Sequence, residues 1–140
     1  MDERQGERIA AAARALIGTR FRWHGRVPES GLDCVGLVAA AHRGAGLALP
    51  ALPDRYARCG PDRDTAERWM SAAGLARGDG PTRQGDVLFA DMGEGQLHLM
   101  LRDGEAVIHA HAGLRRVVRG PMPDDAAVLS VWRWPSAMGG

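Results

Sequence analysis

Apolar positions Ile9, Ala12, Ala13, Leu16 and Ile17 recur at helical spacing and are followed by Gly18. This pattern predicts a first amphipathic helix over residues 3–17. Residues 18–32 carry glycines and a proline with no clean period, so they predict a loop that packs through Phe21 and Trp23. Asp33 is a good N-cap residue, and residues 34–43 run without a breaker apart from Gly36 until Gly44. That predicts a second helix with Cys34 in its first turn. Residues 47–63 hold Pro50, Pro53, Gly60 and Pro61 and predict an irregular crossing segment anchored by Tyr56. Asp64, with Glu67 three positions on, has the form of a capping box for a third helix that runs through Trp69 and Ala73 to Gly74. Beyond Gly85 the period changes to two, with strands predicted at 86–90, 96–101, 106–111, 114–118 and 127–132.

Helices first and strands second is the pattern of an α+β domain, with N-terminal helices packed on a C-terminal antiparallel sheet. A chain of 140 residues suits one compact domain spanning residues 1–140. Charged residues make up 25 %, but 18 cations, all of them arginine, face 17 acids. That balance supplies no basic stripe, so nucleic acid is not an expected partner. The longest apolar runs fall far short of the about 20 residues that span a bilayer, so no membrane insertion is expected. The first residues mix acids with bases and lack an apolar core, which excludes a secretory signal of the usual form. Synthesis and folding in the cytoplasm are therefore expected, with Cys34 and Cys59 both as thiols.

The chemistry centres on Cys34 and the histidines of the second half. Asp103-Gly104 favours a two-residue turn with both central residues at positive φ. Counting outward from it, Arg102 pairs with Glu105, Leu101 with Ala106, Leu99 with Ile108, and His98 with His109. The two imidazoles then stand opposite one another, close enough for one to orient the other, and His111 lies one pleat further on the same face. A helix start favours an anion, which predicts a stabilised Cys34 thiolate. Cys34 as nucleophile, His98 as base and His109 or His111 as the group that orients it make a catalytic triad in its cysteine form. Cys59, in the irregular segment, has nothing to activate it. His24 and His42 are expected to be solvated, and Trp69 to be a packing residue. A zinc site built from the cysteines and histidines lacks ligand spacing, so neither metal nor cofactor is expected.

The runs Ile17-Gly18-Thr19-Arg20-Phe21-Arg22-Trp23-His24-Gly25, Gly31-Leu32-Asp33-Cys34-Val35-Gly36-Leu37-Val38 and Gly85-Asp86-Val87-Leu88-Phe89, with His98 and Val107-Ile108-His109-Ala110, resemble the NlpC family of papain-like cell-wall peptidases. The resemblance implies a papain-like fold with Cys34 as nucleophile, His98 as base and His109 as the third residue. It also implies a metal-free peptidase acting on peptidoglycan stem peptides, commonly between D-glutamate and diaminopimelate. Trp23, Asp33 and Tyr56 are the candidates for substrate contact. Short members without a leader resemble peptidases carried by phage tails or gene transfer agent particles, which makes particle proteins expected partners. Phe21 and Val35 stand where the family often has tyrosine and serine. A tail-tip component that kept the fold and lost turnover is therefore the alternative.

Overall fold

A computed structural model describes residues 1–49, 52 and 62–135. Tyr56 and Cys59 lie outside the described residues. The first helix, α1, spans Glu3–Ala15. Asp2 caps it, accepting from the Gln5 N–H, while the Gln5 side chain accepts from the Asp2 N–H, a closed capping box. Two short strands follow, β1 (Arg26–Val27) and β2 (Gly31–Leu32), paired with each other. Helix α2 covers Cys34–Gly44 and helix α3 Arg63–Ala72. The remaining strands are β3 (Ala76–Arg77), β4 (Val87–Asp91), β5 (Leu97–Asp103), β6 (Ala106–His111), β7 (Arg116–Gly120) and β8 (Ala127–Arg133). They form a six-stranded antiparallel sheet in the order β3-β8-β4-β5-β6-β7. The fold is α+β, as the order of periods predicts.

Alternation along the strands builds two apolar layers. Val87, Phe89, Leu99, Leu101, Ile108 and Val117 pack with Ile9, Ala13, Leu37 and Val38 of the helices in the main core. Leu88, Ala90, Met100 and Val107 form a smaller cluster with Met92, Met122 and Val131. Helix α2 is the centre of the main core and buries Val35 through Val38 and Ala40 through His42. It has almost no wet face, and His42, expected in solvent, is 0 % exposed.

Two local expectations are corrected. The cap of α3 is Asp62, whose side chain accepts from Thr65 N–H, so the helix begins one residue before Asp64. The β5–β6 hairpin turns at Gly104-Glu105, because Asp103 pairs with Ala106 and Leu101 with Ile108. Asp103 is drawn out of the turn by its partners. Its carboxylate accepts from Arg14 at 2.6 Å, Arg119 at 2.8 Å and Gln84 at 2.9 Å while only 3 % exposed. Gly104 then carries the positive φ of 62°, whereas Glu105 is not in the left-handed region, as in a II′ turn. The predicted direct pairing of His98 with His109 is therefore absent.

Gly36 fixes how closely the loop before α2 approaches the helix. A Cβ at this position would stand 2.0 Å from the Gly25 carbonyl oxygen, a backbone atom that cannot swing aside. Gly36→Ala is expected to destabilise the protein by about 1–3 kcal/mol, the cost of overpacking. Urea denaturation checks this, and an unchanged midpoint would show that the loop gives way freely.

Candidate active site

Asp33 caps α2 from a buried position, 1 % exposed. One oxygen accepts from Gly36 N–H at 2.9 Å and from Arg26 Nη1 at 3.0 Å, and the other accepts from His24 N–H at 2.9 Å. His24 takes a left-handed φ of 62° to present that N–H. Asp33, named above as a candidate for substrate contact, thus faces the protein and holds the loop to the helix. Cys34, the next residue, is half-buried in the first turn.

The sheet supplies the other half. Pairing between β5 and β6 ends at Leu101↔Ile108, although β5 stays on β4 down to Leu97 and β6 stays on β7 out to His111. The two strands part there, and the parting holds the histidines. His98 Nε2 lies 3.1 Å from His109 Nδ1, with the rings nearly perpendicular. They meet across the split instead of standing directly opposite. His111 has its centroid 5.6 Å from that of His109, and its Nδ1 accepts from Leu114 N–H at 3.0 Å. Between the two candidates for orienting His98, the contact is made by His109. The backbone N–H groups of Leu99, in the same stretch, and of Val35 favour the charged form of the Cys34 sulfur.

Cys34, His98 and His109 line one cavity of about 360 Å³. Its walls are mostly apolar. Trp23, Trp69, Met70 and Met92 line it, and among the described residues on its surface there is no cation and one carboxylate, that of Asp125. Trp23 stands at the wall with Phe21, ring centroids 5.0 Å apart and edge to face. Trp69, read from sequence as a packing residue, is a wall of the cavity, as is Met70 beside it on α3. No local pattern marks them, because which face α3 turns inward depends on tertiary packing.

The electrostatics correct the expected resting thiolate. Burial, then the neighbouring Asp33 charge, pushes the Cys34 thiol up to about 12, against the lowering effect of the two backbone N–H groups and Arg26. Burial, then His109 and His111, pushes His98 down to about 3. His109 is also lowered, by burial and by His111. The site rests as a neutral thiol beside neutral imidazoles. Among the described residues no cluster of three or more His, Cys, Asp or Glu is placed to hold a metal ion.

A cysteine at a helix start that shares a cavity with a histidine pair on an antiparallel sheet brings a potential nucleophile and a potential base into one space. The model of the NlpC/P60 family matches residues 18–125, and the chain belongs to that family. Among solved structures it is similar to the NlpC/p60 domain of the peptidoglycan hydrolase SagA, with 25 % identity over 83 % of this chain and 88 % of that one at a TM-score of 0.58. The peptidoglycan hydrolase RipB from Mycobacterium tuberculosis has the same fold, with 20 % identity over 94 % of this chain and 65 % of that one at a TM-score of 0.63. RipD from the same organism, described as a non-catalytic NlpC/p60 domain protein adapted to peptidoglycan binding, aligns with 19 % identity over 92 % of this chain and 96 % of that one at a TM-score of 0.61. No curated protein matches the chain.

Three histidines with lowered pKa values give a pH prediction. Burial holds His42 low as well: its Nδ1 donates to the Val38 carbonyl and its Nε2 has no partner among the described residues. Each group binds its proton more weakly folded than unfolded. Their contribution to stability is therefore complete above the unfolded value near 6.5 and is lost as pH falls below it. The slope should approach about 1.4 kcal/mol per pH unit for each histidine that stays neutral in the fold. Unfolding midpoints between pH 8 and pH 5 should fall on the acid side, less steeply in His42→Met. A flat profile would contradict the buried neutral state.

Proposed function

We propose that the protein is a cysteine endopeptidase that cleaves an amide of peptidoglycan stem peptides, the D-glutamyl to diaminopimelate bond being the expected target. The observation that carries the reading is the 3.1 Å contact between His98 and His109 in the cavity that Cys34 also lines. Of the two tautomers this contact allows, the one in which His98 Nε2–H donates to His109 leaves His98 Nδ1 free to accept the thiol proton. Attack of sulfur on the carbonyl and transfer of its proton to His98 then proceed together, since neither the thiolate nor the imidazolium is the resting form. The proton passes to the leaving amine, a thioester remains on Cys34, and water activated by His98 hydrolyses it. On this reading the Val35 and Leu99 N–H groups, which favour charge on the sulfur, would also serve the oxyanion that forms beside it. The family relationship supports the wall as substrate. Delivery by a phage tail or gene transfer agent particle rests on the resemblance of short members alone.

A second reading, a wall-binding module with little turnover, draws support from the neutral resting pair. Digestion of purified muropeptides followed by mass spectrometry separates the two. Cys34→Ala should reduce product to background, and His98→Ala should slow release by about 10²–10⁴-fold, the usual worth of a general base. Equal products from wild type and Cys34→Ala would sink the peptidase. Retention on sacculi without any product from wild type would favour the binding module.

A further inference from the structure

A second groove opens beside the active cavity and shares Phe21, Trp23 and Ala112 with it. Its rim carries Arg20, Arg115 and Arg116, all exposed. None of the three is among the salt bridges of the described residues, which engage Arg14, Arg26, Arg63, Arg77, Arg119 and Arg133. The fold presses these cations together. Arg20 and Arg116 face one another directly in an antiparallel bridge, where like charges repel. Arg115 sits at a left-handed φ of 60°, and its carbonyl accepts from Phe21 N–H at 2.9 Å. Strain and repulsion gathered at one rim, next to the cavity that Cys34 lines, are what a site for an anion tolerates. The active cavity itself offers no cation among its described lining residues, so a charged substrate must find its counter-charge elsewhere.

We propose that Arg20, Arg115 and Arg116 form a second subsite that binds a carboxylate of the substrate peptide away from the scissile amide, while the apolar cavity takes the uncharged portion around that amide. The inference rests on the peptidase reading for the identity of the ligand and on the groove for its charge. Guanidinium groups suit carboxylates, with which they make paired, charge-assisted hydrogen bonds. Backbone hydrogen bonds from Gly18 to Val117 and from Val117 to Thr19 dock the Arg20 segment along the start of β7, so the backbone that carries these charges is held in place before a ligand arrives.

The test uses the full chain as Cys34→Ala and the tripeptide L-Ala-γ-D-Glu-meso-diaminopimelate, as the free acid and with its carboxylates amidated. Calorimetry at low salt should show the acid binding about tenfold tighter than the amide, a difference of about 1.4 kcal/mol. Arg20→Gln combined with Arg116→Gln should erase that preference, with an unfolding midpoint equal to or above that of the parent because the repulsion is relieved. The acid-over-amide ratio of kcat/KM in the Cys34-containing protein should fall in parallel. Equal binding of acid and amide, or a preference that survives in the double variant, would overturn the subsite. Inorganic phosphate competing as strongly as the peptide would also overturn it, by exposing a generic anion site. A binding preference with no turnover by wild type would leave the subsite standing and remove the peptidase reading instead.

Discussion

The geometry of the site depends on one buried carboxylate. Asp33 ends the loop and begins α2, and it spends its oxygens on three segments: the helix start through Gly36, the β1 strand through Arg26 and the loop through His24. Bonds to a charged acceptor contribute about 1.5–3 kcal/mol each, so Asp33 is worth more as a clamp than as a point of substrate contact. The clamp carries an electrostatic cost. The charge that holds Cys34 in place also opposes ionisation of its thiol. Positioning the sulfur and ionising it therefore pull against each other at adjacent residues, and the backbone N–H groups of Val35 and Leu99 supply part of the compensation.

Leu99 is available for that role because the sheet opens. Had the β5–β6 ladder continued beyond Leu101↔Ile108, the strands would have closed over the ground that the cavity occupies. Asp103, fixed by Arg14 and Arg119, sets the register at the turn end, and the strands keep their outer partners while losing each other. Burial outweighs everything else on the Asp103 carboxyl in the upward direction taken singly, yet Arg119, Gln84 and Arg14 together hold it below the ordinary range. It stays charged at neutral pH, and the register stays anchored.

Three helices and five longer strands were legible from periodicity, because each buries one face or two against a single core. The two-residue strands at 26–27, 31–32 and 76–77 were not, since partners and not pattern define them. The Asp103-Gly104 dipeptide misled for the same reason: its preference for a I′ turn is local, whereas Arg14 reaches Asp103 from 89 positions away. His42 reads as solvated in the sequence because no partner for it is visible there. In this fold α2 is enclosed on nearly every side, and the ring is buried with it. The Cys34, His98 and His109 constellation was nonetheless legible, because a helix start and two neighbouring strands bring the right residue types near one another even when the register differs by two.

The route to the histidine pair changes what it can do. Directly opposed residues would have presented two rings side by side on a flat ladder. Rings that meet at 78° across a split let one edge donate along the other's lone pair, and where His98 Nε2–H is the donor its second nitrogen is left free to accept a proton. The same split exposes the rings to the cavity while the sheet buries the rest of them, which keeps them neutral. On the proposed peptidase reading, a neutral base and a neutral thiol in one cavity stay silent until a carbonyl arrives to take the sulfur's electrons. Such a site gains little from attracting charge to its centre. That is consistent with walls of tryptophan and methionine around Cys34, and with the arginines held one groove away.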